Sequence, residues 1–215
     1  MSRIAVPIVS LFLISFFILA GSATTVTIGD IFSESEVTTS LMINDVTDLA
    51  TASVKITFEP SVILITSAKK GDLPSFIANV ERADEGWVKI GACTTGDSLS
   101  GNVKLADLTI APTGNYGEIS DLTLTVETLS DSGFKTIDAD VIDGFFYIGM
   151  NGDVTVDRIV DIADSEYIAK GIAGIAGYEL KEGASDVNGD GIVDAYDCVY
   201  LARHAAGISG YEELK

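Results

Sequence analysis

Acidic side chains recur at fixed spacing in two segments near the C-terminus. Residues 153–164 read DVTVDRIVDIAD and residues 186–197 read DVNGDGIVDAYD, so Asp occupies positions 1, 5, 9 and 12 of both segments. The segments are offset by 33 residues without a gap, and similar residues follow each of them in the same register. Carboxylates are preferred ligands of hard cations such as Ca²⁺. An internal repeat with this chemistry predicts two related cation sites.

The spacing fits the EF-hand calcium loop, whose oxygen ligands come from positions 1, 3, 5, 7, 9 and 12, with a backbone carbonyl at position 7. The expected ligands of the first loop are Asp153, Thr155, Asp157, Ile159, Asp161 and Asp164. Those of the second loop are Asp186, Asn188, Asp190, Ile192, Asp194 and Asp197. Two acidic surface loops without metal are the alternative, which the repetition in register disfavours. We therefore expect two Ca²⁺ sites.

The first of these sites is expected to be the weaker one. Thr155 is a poorer oxygen donor than Asn188, which occupies the same position in the second loop. Arg158 replaces the glycine that stands at position 6 of the second loop as Gly191. The chain turns sharply at position 6, and only glycine adopts positive φ there freely.

The segments that flank the loops indicate how the loops are positioned. Residues 141–148, before the first loop, read as a strand, so neither loop is expected to have an entering helix. Ser165–Ile172 and Cys198–Ala206 follow the two loops and carry apolar residues at helical spacing. Position 12 is Asp where the ordinary EF-hand has a longer Glu. Residues 149–215 therefore resemble the dockerin domain of cellulosome-type assemblies, which is a small all-α domain built from duplicated calcium loop–helix motifs.

The resemblance to dockerins implies a partner-binding surface on the two helices. Dockerins bind cohesins through residues near loop positions 10, 11, 17 and 18. On this chain those positions are Ile162, Ala163, Ala169 and Lys170, with Ala195, Tyr196, Ala202 and Arg203 in the second repeat. Three of the four pairs differ in side chain, so we expect one binding orientation to dominate. Since metal binding becomes folding energy, the module is expected to be ordered only with Ca²⁺.

The N-terminal segment, residues 1–23, has the pattern of a signal peptide. Arg3 precedes an apolar run over residues 4–20, and Gly21, Ser22 and Ala23 offer small residues for cleavage. An uncleaved anchor is the alternative, because the run is near the lower limit for spanning a bilayer. The protein is thus expected to be secreted, either free or attached to the cell surface. The formal net charge of −19 argues against nucleic acid and anionic membranes as partners.

Residues 24–148 show β patterning, with short runs rich in Val, Ile, Thr and aromatic residues separated by turn residues. The expected strands are Val26–Gly29, Val37–Ile43, Ala52–Phe58, Val62–Ser67, Phe76–Val80, Trp87–Cys93, Val103–Ile110, Leu122–Val126 and Val141–Ile148. About nine strands without a convincing helix predict an antiparallel jelly-roll β-sandwich. Trp87 is expected in its core. Cys93 and Cys198 are expected to be buried free thiols, with an interdomain disulfide as the alternative.

The order of the strands brings a second resemblance. An opening strand at Val26–Gly29 is followed by Ala52–Phe58, then by Glu59-Pro60-Ser61-Val62, and the domain closes with Val141–Ile148. This sequence is similar to the cohesin domain, the receptor that dockerins bind. The resemblance implies a cohesin-like sandwich over residues 24–148. The chain would then carry both halves of a binding pair, which makes association between copies possible.

A catalytic function is not expected. His204 is the only histidine, and no nucleophile motif, phosphate loop or zinc spacing is present. We therefore expect a secreted, non-catalytic adaptor that binds Ca²⁺ and secreted proteins with matching cohesin or dockerin modules. It would act in a polysaccharide-degrading or cell-surface assembly. The alternative is an extracellular carbohydrate-binding module with a calcium-stabilised C-terminal domain, for which Trp87 and Tyr116 are the candidate stacking residues.

Overall fold

The computed structural model describes residues 23–215, so the predicted signal peptide lies, apart from Ala23, outside the described residues. Ten strands precede three α-helices within this range, and one 3₁₀ turn, Ala83–Glu85, lies between β5 and β6. The strands are β1 Thr25–Ile28, β2 Ile31–Phe32, β3 Val37–Thr57, β4 Ile63–Lys70, β5 Ser75–Asn79, β6 Trp87–Cys93, β7 Leu99–Pro112, β8 Ile119–Asp131, β9 Asp140–Ile142 and β10 Gly144–Tyr147. The helices are α1 Ile162–Ile172, α2 Glu182–Ser185 and α3 Ala195–Ala205. None of these helices is long and apolar enough to cross a membrane.

The long strand β3 connects the two layers of the β domain. Its first half pairs with β1 and β7, and its second half pairs with β6 and β8. One layer therefore runs β5-β6-β3-β8-β10-β2, and the other runs β4-β7-β3-β1-β9. The sequence predicted separate strands at Val37–Ile43 and Ala52–Phe58, and this division was wrong because the chain crosses between layers without leaving the sheet.

Local irregularities allow β3 to change layers. Asp45 and Asp48 adopt left-handed backbone conformations with φ of 52° and 61°, and the register with β7 shifts at Ile43/Val46 and Val46/Leu49. Asp is among the few non-glycine residues that tolerate this conformation. Bulges of this kind increase strand twist and bend the strand. The two aspartates therefore mark the corner of the sandwich.

Most neighbouring strands are antiparallel, as predicted, but two pairs are parallel. β1 pairs with β9, and β2 pairs with β10. Both pairs join the start of the domain to its end. Side chains that point between the layers form one continuous core, in which Leu41, Ile56, Ile65, Ile90 and Leu108 are completely buried.

The expectation for Trp87 was wrong, and the expectation for the two cysteines was wrong in part. Trp87 lies on the outer face of β6, next to the buried Val88, and the Lys55 Nζ atom lies 5.1 Å from the centre of its ring. Trp87 is therefore not a core residue. Cys93 and Cys198 are both free, so the interdomain disulfide is not formed, but both side chains are only partly buried.

The helices begin three residues earlier than the sequence pattern indicated. The Asp161 carboxylate accepts a hydrogen bond from the Ala163 amide at 2.7 Å, and Asp194 accepts one from Tyr196 at the same distance. Both helices thus start with a capping box inside the acidic loop. The single turn α2 directly precedes the second loop, so the expectation that neither loop has an entering helix holds only for the first.

A second hydrophobic cluster joins the helices to the β domain. Ile168 of α1 and Leu201 of α3 are completely buried in it, together with Val187. Tyr147 at the end of β10 belongs to the same cluster and is also fully buried. Phe32 and Phe145 pack against this cluster from the β domain. The division of the chain at residue 148, which remains a prediction, therefore falls beside a shared core.

Gly71 occupies a position where the backbone of β7 approaches too closely for any side chain. A Cβ atom there would overlap the Lys104 carbonyl and come within 2.8 Å of the Leu105 carbonyl carbon. Gly71→Ala is expected to lower the free energy of unfolding by about 1–3 kcal/mol, because the strand must shift to make room. Urea denaturation at fixed calcium concentration measures this effect.

Gly96→Ala is the matched control for this prediction, since nothing lies within 4 Å of a Cβ atom at Gly96. Its unfolding midpoint should stay close to that of the wild type. Equal midpoints for Gly71→Ala and Gly96→Ala would show that the close approach at Gly71 is not a constraint on the fold.

Candidate metal centre

The first acidic loop is organised by two buried carboxylates. Asp153 and Asp164 are both completely inaccessible to solvent. Asp153 accepts hydrogen bonds from the amides of Asp157 at 3.2 Å and Arg158 at 2.8 Å. Asp164 accepts bonds from the amides of Thr155 at 3.0 Å and Asp161 at 2.9 Å. The side chains of the first and last residues thus accept hydrogen bonds from backbone amides inside the loop, and these bonds hold the loop closed.

The second loop repeats this arrangement. Asp186 accepts hydrogen bonds from the amides of Gly189 at 2.9 Å and Gly191 at 2.8 Å. Asp197, which is also fully buried, accepts bonds from the amides of Val187 at 3.0 Å and Asp194 at 2.8 Å. Burial raises the pKa of Asp197, and the nearby charge of Asp186 adds to this shift. The same sequence positions therefore perform the same structural roles in both repeats.

The intermediate ligand positions also match between the loops. The carboxylates of Asp157 and Asp190 accept bonds from the amides two residues later, each at 2.9 Å. Asn188 Oδ1 accepts a bond from the Asp190 amide at 2.9 Å. The carbonyls of Ile159 and Ile192 belong to the same predicted set, and their side chains are exposed. All twelve predicted ligands therefore lie within two compact loops.

Thr155 provides the direct test of whether the first loop fits a cation. Its hydroxyl oxygen is buried and has no hydrogen-bond partner. An unpaired buried hydroxyl is costly, and native structures rarely contain one without a reason. Position 3 of the EF-hand loop is a ligand position, so a bound Ca²⁺ would supply the missing partner. The oxygen donors of this loop therefore fit the ion.

The carboxylates do not form a cage by themselves. Among residues 23–215, no group of three or more His, Cys, Asp and Glu side chains is arranged so that it could hold a metal ion. A site in either loop therefore requires the other donors of the scheme, namely the side chain at position 3 and the carbonyl at position 7.

Position 6 distinguishes the two loops. Gly191 has φ of 82°, and Arg158 adopts nearly the same conformation with φ of 71°. Such a conformation is strained for a residue with a side chain. The Arg158 guanidinium lies 4.7 Å from the centre of the Tyr116 ring and pairs with Glu34 at 3.1 Å. The departure from glycine is therefore accompanied by contacts with the β domain.

Two tyrosines of the β domain also contact the first loop. The Tyr116 hydroxyl donates to the Asp153 carboxylate, and the Tyr147 hydroxyl donates to the Asp153 backbone carbonyl at 3.2 Å. Burial raises the pKa of Tyr147 to about 12, with a further contribution from the charge of Asp153. Burial and the bond to Asp153 also raise the pKa of Tyr116. Both hydroxyls therefore remain protonated donors at neutral pH.

Sequence reasoning did not identify Tyr116, Tyr147 or Glu34 as part of this site. These residues are distant from the loop in the chain, and no local pattern connects them with it. The one available signal was Arg158 itself. A long cationic side chain at a position that favours glycine indicates a compensating contact elsewhere in the protein.

The predicted partner-binding residues lie on the outer surfaces of α1 and α3. Ile162, Ala163 and Ala169 are exposed on α1, and Lys170 is partly exposed; on α3, Ala195, Tyr196 and Arg203 are exposed and Ala202 is partly exposed. The Tyr196 side chain is 74% accessible. Among the described residues, the hydrogen bonds and ion pairs that join the helical module to the β domain involve none of these eight. The surface is thus free for another contact.

The two cations of this surface are held in matching ways. Lys170 Nζ lies 4.9 Å from the ring centre of Tyr178, and the Arg203 guanidinium lies 5.0 Å from that of Tyr211. His204, the only histidine, has its Nδ1 atom 2.7 Å from the Tyr211 carbonyl oxygen. His204 therefore packs within its own repeat, as expected.

A cleft of about 1180 Å³ separates the β domain from the second loop. Phe32, Phe145 and Asp30 line one side, and Asp186 and Ile192 line the other. Burial raises the pKa of Asp30, and the charge of Asp186 contributes to this shift. Among residues 23–215, the hydrogen bonds and the ion pair that join the modules do not involve the second loop, whereas three of them involve the first. The second loop contributes Val187 to the buried cluster that also contains Tyr147.

Thr155→Val is expected to weaken calcium binding at the first loop about tenfold or more, because it removes one oxygen ligand without changing the shape of the side chain. Thr155→Asn, which copies the donor of the second loop, should strengthen binding there. Calorimetric calcium titration measures both effects.

Thr109→Val provides the control for these changes. The Thr109 hydroxyl accepts a bond from Ser67 at 2.9 Å in the β domain, far from either loop in the chain. This variant should titrate like the wild type. If Thr155→Val also did so, Thr155 would not be a ligand.

The helical region matches a known family. The family model of the dockerin type I domain matches residues 151–204. Type I dockerin domains are EF-hand-like calcium binders. No curated protein matches the chain.

Solved structures resemble the N-terminal part of the chain. A non-cellulosomal cohesin from the archaeon Archaeoglobus fulgidus is 18% identical with a TM-score of 0.52, covering 60% of this chain and 93% of its own. The seventh ScaB type I cohesin from Pseudobacteroides cellulosolvens is 15% identical with a TM-score of 0.53, covering 60% and 94%. A chain of a type I cohesin–dockerin complex from Clostridium thermocellum is 12% identical with a TM-score of 0.53, covering 59% and 99%.

At sequence identities of 12–18%, the structural similarity establishes the fold of the β domain and nothing more specific. The jelly-roll prediction is confirmed, as is the predicted order of the two modules. The protein carries a β domain with the cohesin fold, followed by a helical region that matches the dockerin type I family.

Proposed function

We propose that this protein is a secreted, non-catalytic adaptor that binds Ca²⁺ in its C-terminal module and joins other cohesin- or dockerin-bearing proteins. Cohesin and dockerin modules are interaction modules, and their presence implies an adaptor of the cellulosome type. The observation that carries the proposal is the position of the eight predicted partner-binding residues. They lie on the outer surface of the helices, which the β domain leaves uncovered.

Calcium is proposed to act as a structural cofactor at two sites. Four carboxylates in each loop repel one another and require a cation for compensation. The predicted ligands are those of the two acidic loops, and the unpaired Thr155 hydroxyl supports the first site. The second site is expected to bind more tightly, since it has Asn188 and Gly191 at the two positions where the first loop has Thr155 and Arg158.

Apolar side chains on the helical surface support a protein partner. Soluble proteins expose few clustered apolar residues unless these serve a contact. The exposed apolar residues of α1 and of the segment after it include Ile162, Ile172 and Ile175. Those of α3 and its following segment include Tyr196, Val199 and Ile208. Each repeat therefore contributes apolar anchors next to a cation, Lys170 or Arg203.

The β domain presents a broad outer face with an exposed apolar residue at its centre. The outer face of β5-β6-β3-β8 carries the exposed Ile77 above Gly91, with Lys55, Trp87 and Lys89 beside them. Lys89 on this face is already paired with Glu127, and Lys55 lies over the Trp87 ring, so the exposed apolar side chains are what a partner would contact. The helical surface of a second copy of this chain, with its exposed apolar residues, fits such a face.

Docking between copies is favoured over docking within one chain. Residues 149–152 join the two modules directly, and Tyr147 lies buried in the cluster shared with the helices. Turning the outer surface of the helices toward the β domain of the same chain would break this cluster. Head-to-tail contacts between copies would instead form open chains unless their rotation closes.

Secretion remains a proposal that depends on the pattern of residues 1–23. An extracellular location fits the chemistry of the loops, because extracellular calcium modules work at calcium concentrations of about 10⁻⁴–10⁻³ M. The alternative, a carbohydrate-binding module, is less favoured, because both candidate stacking residues already have partners. Lys55 Nζ lies 5.1 Å from the centre of the Trp87 ring, and Tyr116 contacts Arg158 and Asp153.

Calcium titration of residues 24–215 after chelation tests the calcium proposal. Two binding events are expected, with a gain of helix in far-ultraviolet circular dichroism, because metal binding supplies folding energy to the module. Asp164→Ala should remove the weaker event and Asp197→Ala the stronger. No heat and unchanged helix content at millimolar calcium would contradict the proposal.

Sedimentation in calcium and in chelator tests association between copies. Association is expected in calcium only, and one of the changes Lys170→Ala and Arg203→Ala should weaken it much more than the other, since the two repeats present different side chains. If each single change left the affinity intact and only the double variant lost it, the expected dominance of one orientation would be wrong.

A further inference from the structure

The first residue of each loop has a different environment. The Asp153 carboxylate accepts hydrogen bonds from the Arg158 amide and from the Tyr116 hydroxyl of the β domain. The Asp186 carboxylate accepts bonds from amides of its own loop, and within the described residues no side chain donates to it. Asp153 is completely buried, whereas Asp186 is partly exposed. The β domain therefore completes the hydrogen bonding of one loop and not of the other.

Arg158 extends this contact toward the strand region. Its backbone stays in a left-handed conformation that Gly191 adopts without strain. Its guanidinium lies on the Tyr116 ring and pairs with Glu34. Tyr116 is thus held between the side chain of loop position 6 and the carboxylate of loop position 1. The backbone strain at Arg158 is offset only while these contacts exist.

Close packing leaves little freedom at this junction. A Cβ atom at Gly117 would come within 2.8 Å of the Val156 side chain, and Lys181 Nζ lies 3.5 Å from the Gly117 carbonyl oxygen. Val156 itself has φ of 63°. The segment that carries Tyr116 therefore cannot shift without disturbing the first loop.

We propose that Tyr116 is a positioning residue for the first metal site, and that the contacts of Tyr116 and Glu34 with the loop couple metal binding there to the packing of the two modules. This inference rests on the calcium binding proposed above. Groups that form a hydrogen bond with a metal-binding side chain and so orient it typically change the metal affinity 10–100-fold when they are removed. The β domain would thereby compensate for the poorer donor and the strained turn of the first loop.

Coupling between two events is reciprocal. If packing of the modules strengthens calcium binding at the first loop, calcium must strengthen the packing by the same factor. Binding at the second loop should do so much less, since among residues 23–215 no hydrogen bond or ion pair joins that loop to the β domain. Calcium should therefore stabilise contacts of β-domain residues that touch no ion.

Calorimetric titration of residues 24–215 with Ca²⁺ tests the first half of the proposal. Tyr116→Phe is expected to weaken the first site about tenfold and leave the second site unchanged, because it removes only the hydroxyl that orients Asp153. Tyr178→Phe is the matched control, since Tyr178 lies in the helical module and contacts neither loop through a hydrogen bond. It should titrate like the wild type.

Hydrogen exchange tests whether calcium strengthens the packing of the two modules. A purely structural role of Tyr116 would leave the response of exchange to calcium unchanged. Calcium should slow exchange in segment 114–118 of the wild type by stabilising its contact with the loop. It should do so much less in Tyr116→Phe, and Asp186→Ala should retain the response because it disables only the second loop.

The outcomes separate this inference from the proposed function. No calcium binding at either loop would overturn both. Two binding events with an unchanged first site in Tyr116→Phe would overturn the coupling alone, as would exchange in segment 114–118 that ignores calcium. If Tyr116→Phe failed to fold, Glu34→Gln would decide, with an expected weakening of the first site of about two- to fivefold. An unchanged first site in Glu34→Gln would then overturn the coupling.

Discussion

The carboxylate of Asp153 lies where water cannot reach it, at the boundary between two modules. A buried charge is tolerated only when hydrogen bonds or an opposite charge compensate for it. Here amides of the loop and a tyrosine of the β domain provide these bonds. The closed shape of the loop, the position of the helix that follows, and the contact with the β domain all depend on satisfying this one group.

The last strand shows how one short segment serves two cores. Alternate residues of a strand point to opposite faces. In β10, Phe146 enters the core of the sandwich, while Phe145 and Tyr147 face the helices. Three consecutive aromatic residues therefore fasten the layers of the β domain on one side and the C-terminal module on the other. This explains why four residues of connecting chain suffice between the modules.

The sequence predicted those features that follow from local chemistry. The acidic loops, their repetition and the helices behind them are local patterns, and the structure places the predicted ligands together in two loops. The β-sandwich was predicted from alternation and turns, but the passage of β3 between layers was not, because Asp45 and Asp48 resemble an ordinary turn. The core position predicted for Trp87 was wrong because β6 turns Val88 and Ile90 toward the core, which places Trp87 on the outer face. The contacts of Tyr116 and Glu34 with the loop connect distant parts of the chain, and a single sequence holds no information on such pairs beyond the unusual Arg158.

The parallel pairing of the first and last strands has a mechanical consequence. β1 lies parallel to β9, and β2 lies parallel to β10, so the start of the β domain points in the same direction as its end. Tension between the N-terminal end of the sandwich and a partner held by the helices would pull these neighbours past each other lengthwise. The bonds between them would then carry the load together, in shear, instead of opening one after another. Such an arrangement suits a component that must keep two bodies connected under strain.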